Sequence, residues 1–160
     1  MTMDIQGVIG WIGSIYPMAP VFIVSHSMGS LAARTYLKHD DTHIKGLILC
    51  GSPSYDPMSQ PARIVLQIYN GMTDGRTRPE WLMRYTSDRF NKRFEDEGYQ
   101  AWICSDPEER EKFMKDPECN YICTTDCMLT LLLLMKETYS KKGWHVANPS
   151  LPILFISGEE

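Results

Sequence analysis

One stretch constrains the fold more than any other: Val21-Phe22-Ile23-Val24-Ser25-His26-Ser27-Met28-Gly29-Ser30-Leu31-Ala32-Ala33-Arg34. Its four leading apolar residues, mostly β-branched, predict a strand buried on both faces, as strands of parallel sheets are. Small residues follow at once, and then a run of helix formers. The order is therefore strand, tight turn, helix, with a serine at the apex.

That order gives the serine a chemical reading. Ser25-His26-Ser27-Met28-Gly29 has the spacing of G-x-S-x-G, with serine in place of the first glycine. A small side chain is what that place requires, because the helix returns closely over the strand end. A sharp turn would project the Ser27 hydroxyl out of the sheet, where a base can reach it. The backbone N–H of Met28, at the start of the helix, would then face the oxygen that turns negative in a tetrahedral intermediate. The helix dipole favours charge at the same place. Ser27 is the candidate nucleophile and Met28 the candidate backbone oxyanion donor.

Composition narrows the partners. The chain has 160 residues, is 43% hydrophobic and 22% charged, and carries a net charge of −4. That length suits one domain, or one domain with an insertion, and the composition is that of a soluble globular protein. A mild acidic balance leaves no electrostatic footprint for nucleic acid. The longest apolar run, Leu131 to Met135, is far below the roughly 18 residues that a transmembrane helix needs. Asp4 stands where a signal peptide would carry basic residues, and the 5 cysteines match no disulfide framework. A reducing, cytoplasmic setting is expected. The triplet Cys119, Cys123 and Cys127, at i, i+4, i+8, would form a thiol stripe on a continuous helix. It lacks the paired spacing of a metal site, and neither metal nor cofactor is expected.

Taken in order, Ile5, Val8, Ile9, Ile12 and Ile15 predict a helix over 3–16. Gly7, Gly10 and Gly13 each weaken it by about 1 kcal/mol relative to alanine, so it needs a sheet to dock on. The helix after Ser27 should run to Lys38-His39, whose charge suits a C-terminus. Further strands are expected at 44–50, ended by Gly51-Ser52-Pro53, and at 152–157. Strands 21–26, 44–50 and 152–157 should be parallel neighbours in that order. Between the second and the third lies a long insertion rich in Met, Tyr, Trp, Arg and Glu, without strand signals. A helix is expected there from Ala62 to Tyr69, closed by Asn70-Gly71, and another is expected to start over Pro79 to Tyr85. Another opens at Ser105-Asp106-Pro107, and a last one runs from Thr124 or Thr125 to Ser140.

The elbow Val-Phe-Ile-Val-Ser-His-Ser-Met-Gly-Ser, the strand Gly-Leu-Ile-Leu-Cys-Gly-Ser and the final Leu-Pro-Ile-Leu-Phe-Ile-Ser-Gly-Glu-Glu together resemble the α/β-hydrolases. The resemblance is to their monoacylglycerol lipase and lysophospholipase-like branch, often grouped with serine aminopeptidase-like hydrolases. It covers nearly the whole chain and is weakest across the insertion. It implies an α/β fold, here partial, with core segments 1–53 and 149–160 and a mostly helical cap over 54–148. It also implies a small acyl-ester or lipid-like substrate and an acyl-enzyme on Ser27. Three parts of the family pattern have no counterpart. The first half of the sheet, with its His-Gly oxyanion loop, would precede residue 1. The acid would fall one position beyond Glu160, and the histidine further on. The expectation is an internal piece of a longer hydrolase, with bare sheet edges prone to pair edge to edge.

Local substitutes for the missing residues are few. Asp56, Glu159 and Glu160 follow strand ends but read as surface residues of loops. Of the histidines, His26 is turned away from Ser27 by strand alternation, and His39 and His43 flank the loop at the far end of the helix. His145, near the return from the insertion, is the one conceivable base. Two classes of function remain: a serine ester hydrolase, with an amidase or peptidase as its near variant, or a non-catalytic remnant or partner-dependent half.

Overall fold

The computed structural model describes residues 2–158, with the side chain of Glu95 left aside. Helix α1 (Thr2–Ile15) precedes strand β1 (Phe22–His26), helix α2 (Met28–Leu37) and strand β2 (Gly46–Cys50). Helices α3 (Ser59–Met72), α4 (Glu80–Asn91), α5 (Pro107–Lys115) and α6 (Thr125–Tyr139) follow, with a short 3-10 turn at Glu95–Glu97, and β3 (Ile153–Ile156) comes last. The strands form one parallel sheet in the order β1-β2-β3. Val24 stands opposite Ile48, and Ile48 opposite Leu154. Fold class, strand positions and strand order agree with the sequence reading.

The chain divides into two compact units, one of residues 1–64 and 130–160, the other of 65–129. The division falls inside α3 and α6. In the first unit, α2 is the buried element: Leu31, Ala32, Ala33, Tyr36 and Leu37 are all in the core. Ala33, Tyr36 and Leu37 pack with Ile9 of α1 and with Leu47 and Leu49 of β2, while Ile5 and Ile23 close the rim. One sheet face is thereby covered over β1 and β2. The other is not, because side chains alternate along a strand and Phe22 and Val24 are 62% and 72% exposed. Strand β3 is exposed along its whole length. The expectation that β1 is buried on both faces therefore fails among the described residues, where one face has no element packed on it.

Helix α1 shows the same partial cover. Ile9 is buried and Ile5 half-buried, but Val8 and Ile15 remain exposed. Its apolar stripe is wider than the surface that receives it.

The second unit is helical, as the absence of strand signals predicted. Asp106 caps α5 by accepting from the amides of Glu108 and Glu109, and the Thr124 hydroxyl accepts from Cys127 N–H at the start of α6. Both helices start where the sequence predicts, α5 at Pro107 and α6 at Thr125. One boundary differs. Helix α3 passes through Asn70-Gly71 and ends at Met72, where Thr73 turns its amide and hydroxyl back to the Tyr69 carbonyl. Gly71 keeps a helical backbone, and the left-handed turn falls on Gly75. Helix α4, whose start is expected over 79–85, begins at Glu80 and runs to Asn91. The thiol stripe does not form, because only Cys127 of the three cysteines is in a helix.

Candidate active site

Ser27 lies between the last residue of β1 and the first of α2. Its backbone sits at φ 48°, ψ −120°. That is near the position which type II′ turns fill with glycine, and a residue with a Cβ is strained there. The strain is held from both sides. The Ser27 amide donates to the Cys50 carbonyl at 3.0 Å, extending the β1–β2 ladder. The Ser27 carbonyl accepts from the Ser30 amide at 3.0 Å and from the Ser30 hydroxyl at 2.5 Å. Ser30 is completely buried, so this second anchor is fixed by packing.

Ser27 itself is exposed. The first amides of a helix have no partner within it, and those of α2 begin at Met28, the residue after the serine. A hydroxyl and a helix N-terminus thus meet at one point. The neighbouring small residues fit less tightly than the pattern suggested. A Cβ on Gly29 would lie 3.9 Å from Ser25 Cβ, an ordinary contact, while the Ser25 hydroxyl is occupied by the Ile48 carbonyl at 3.1 Å.

The histidines fall elsewhere. His26 is turned toward the loop after β2, where a Cβ on Gly51 would come within 3.3 Å of its Nε2. His43 Nδ1 is 2.7 Å from the Asp40 carboxylate and 2.9 Å from the Thr42 hydroxyl. Burial would raise Asp40, but hydrogen bonds from the Thr42 amide and hydroxyl and from His43 outweigh it and lower its pKa to about 2. This is a loop clasp rather than a dyad aimed at the serine. His39 is exposed at the C-terminal end of α2, beside Tyr36 and Gln6. The His145 amide donates to the Lys38 carbonyl at 3.0 Å, also at that end of α2. The ten residues of α2 separate Lys38 from Ser27, about 16 Å along the axis. His145 therefore fails as a local base. Asp56 serves the start of α3, its carboxylate accepting from the Met58 amide at 2.9 Å. Glu159 and Glu160 lie outside the described residues.

The model of the serine aminopeptidase S33 family matches residues 1–160, the whole length of the chain. The chain belongs to this family. Among solved structures, a thermostable carboxyl esterase from Bacillus coagulans, crystallised with glycerol, superposes with a TM-score of 0.75 at 25% identity. The match covers 85% of this chain and 45% of the esterase. The chain thus spans less than half the length of that relative, and its three parallel strands with flanking helices match a partial α/β-hydrolase fold. No curated protein matches it.

In this S33 chain the elbow helix is fixed at its far end by residues that the sequence reading passed over. Lys38, expected to serve the end of its own helix, is wholly buried and turns its ammonium to the end of α6. It donates to the carbonyls of Glu137, of Ser140 at 2.7 Å and of Lys142 at 3.3 Å, and it lies over the Trp144 ring. Asp41, also buried, accepts from the amides of Ala147 at 3.1 Å and Asn148 at 2.9 Å. Arg34 spans the Ser52 and Tyr139 hydroxyls, each at 3.2 Å, and Tyr139 in turn donates to the Pro53 carbonyl. All of these ties except Arg34–Ser52 join positions 86 to 107 residues apart in the sequence. No local pattern could have disclosed them.

Proposed function

We propose that the chain carries the nucleophile of a serine ester hydrolase, with Ser27 as the attacking residue and the Met28 N–H as an oxyanion donor. The observation that carries the proposal is the positive φ of Ser27 at the β1–α2 junction. A serine is held there against its own steric preference, at the start of a helix. Ser27 Oγ attacks the ester carbonyl, and its proton passes to a general base. The oxyanion is stabilised at Met28 N–H, the alcohol leaves, and water then releases the acid from Ser27. None of the histidines described is placed to be that base. By itself the 160-residue chain is accordingly a partner-dependent half, or nearly inert.

The substrate we infer is a small acyl ester or a lipid-like one of monoacylglycerol or lysophospholipid type. The resemblance stated for the elbow and last strand supports it, as does the Met-, Leu- and aromatic-rich insertion over 54–148, which we assign to acyl-chain selection. The esterase among the solved relatives favours an ester. The family's description favours a second reading, hydrolysis of an amide or peptide bond by the same serine. The five cysteines are free thiols, which supports a reducing, cytoplasmic setting. No helix among the described residues is long and apolar enough to cross a membrane.

The experiment is a matched series of p-nitrophenyl esters and p-nitroanilides. It is run on the 160-residue chain and on the longest polypeptide that carries it, each with Ser27→Ala. The longer polypeptide is expected to turn over esters in preference to anilides and to lose that activity in Ser27→Ala. The 160-residue chain should stay near background, since losing triad members costs roughly four to six powers of ten. Ester turnover that survives Ser27→Ala in the longer polypeptide would contradict the proposal.

A further inference from the structure

Ser27 sits at a corner where two arms of the fold meet. One arm is α2, which starts at Met28 and carries Arg34 in its last turn. The other is the end of β2, where the Cys50 carbonyl accepts from the Ser27 amide at 3.0 Å. The chain then turns at Gly51, with φ 53°, and leads into Ser52. A strut closes the two arms, the Arg34 guanidinium donating to the Ser52 hydroxyl at 3.2 Å. Tyr139 of α6 doubles that strut. Its hydroxyl accepts from the same Arg34 nitrogen at 3.2 Å and donates to the carbonyl of Pro53, the next residue of the loop. The guanidinium carbon also stands 4.6 Å from the Tyr139 ring centre, and the Tyr55 ring meets that ring edge-on, with centres 5.5 Å apart. Ser52, Pro53 and Tyr55 belong to a stretch without regular structure. One half-buried Arg–Tyr pair holds all three.

We propose, resting on the reading of Ser27 as nucleophile, that Arg34 and Tyr139 are its positioning residues. They set the angle between the end of β2, which holds the Ser27 amide, and the helix that carries Met28 N–H. Ser27 is the hinge of that angle. Its backbone is held at φ 48° against its own Cβ, and such a residue relaxes once its surroundings no longer over-determine it. Without the strut, the turn after β2 leans on the Gly51 amide, which donates to the Ile156 carbonyl at 2.9 Å. That partner belongs to β3, a strand exposed along its whole length. A change at the hinge moves the Ser27 hydroxyl relative to Met28 N–H. Attack and oxyanion stabilisation then no longer coincide, and that coincidence is used in the transition state rather than in binding. Misplacement by roughly 1 Å from a change away from the chemistry can cost about a hundredfold in rate.

The test follows the rate at which a serine-reactive fluorophosphonate labels Ser27 in the 160-residue chain, read by peptide mass. The thermal midpoint of every variant is recorded beside it. Ser52→Ala removes the acceptor of the strut, and Tyr139→Phe removes the second hydroxyl while keeping the ring under Arg34 and against Tyr55. Both should label Ser27 about tenfold or more slowly, at a temperature where both remain folded. Lys38→Met, which loosens the opposite end of α2, should lower the midpoint and still label Ser27 at the unaltered rate. A role in stability alone would order the rates as it orders the midpoints. Unchanged labelling in either Ser52→Ala or Tyr139→Phe would overturn the proposal, and so would a loss in Lys38→Met as large as theirs. A label that goes to another serine of the unaltered chain would instead remove the nucleophile reading, and this proposal with it.

Discussion

Ser27 occupies a backbone conformation that its own Cβ opposes, at φ 48° and ψ −120°. Such strain costs on the order of 1–3 kcal/mol and persists only where the surroundings over-determine it. Here the Cys50 carbonyl on one side and buried Ser30 on the other do so. Ser27→Gly should therefore stabilise the chain by about 1 kcal/mol, net of glycine's greater entropy when unfolded. Ser27→Ala keeps the Cβ and should change stability little. Urea midpoints of the three proteins decide it, and a destabilised Ser27→Gly would mean that the turn is unstrained. At this scale the position of the serine was legible, since small-x-Ser-x-Gly after an apolar run fixes a turn there. What the sequence withheld was which histidine stands nearby. Four are present in the chain, and only the fold sends His145 to the wrong end of α2.

Among the elements, α2 is the pivot. Its Ser27 end meets the strand ends and its Lys38 end clasps the close of α6. A buried lysine without an adequate set of acceptors would be strongly unfavourable. Lys38 has three carbonyls, with the Glu137 carboxylate at 3.7 Å. Lys38→Met keeps much of the aliphatic stem but leaves those carbonyls without their donor. It should cost about 2–3 kcal/mol, the scale of hydrogen bonds to a charged group. Thermal unfolding measures it, and an unchanged midpoint would show that the clasp is not structural. Helix existence was well marked in the sequence by apolar period and by caps such as Asp106 and Thr124. Helix ends were not always so. Asn70-Gly71 looks like a stop, yet glycine only permits a left-handed turn and does not impose one. The chain turns at Gly75 instead, where the Thr73 hydroxyl has closed the helix.

For the molecule as a whole, the uncovered sheet matters most. Phe22, Val24, Leu154 and Ile156 are all exposed on the same face. β1 and β3 each have one edge without a neighbouring strand among the described residues. Unpaired apolar edges template further pairing. The 160-residue chain should therefore associate as its concentration rises, and Val24→Lys should weaken that association while leaving stability nearly unchanged. Sedimentation velocity over a concentration series tests this, with a monomer throughout as the contrary result. The pairing of β3 with β2 across a hundred residues was legible, because a short apolar run before Ser157-Gly158 has few other uses. The bare face was not legible. Periodicity says which side chains share a face and is silent on what lies against it.

The most direct measurement is mapping of a fluorophosphonate, a reagent that bonds to a nucleophilic serine and carries a phosphoryl oxygen for an oxyanion site to hold. It is applied to the 160-residue chain and to Ser27→Ala, followed by intact mass and peptide analysis. The account predicts one label, on Ser27, that is lost in Ser27→Ala. In the 160-residue chain it should form slowly and faster as pH rises, because no imidazole is at hand to take the proton. A label on any other serine in preference to Ser27, or equal labelling of the two proteins, would contradict it.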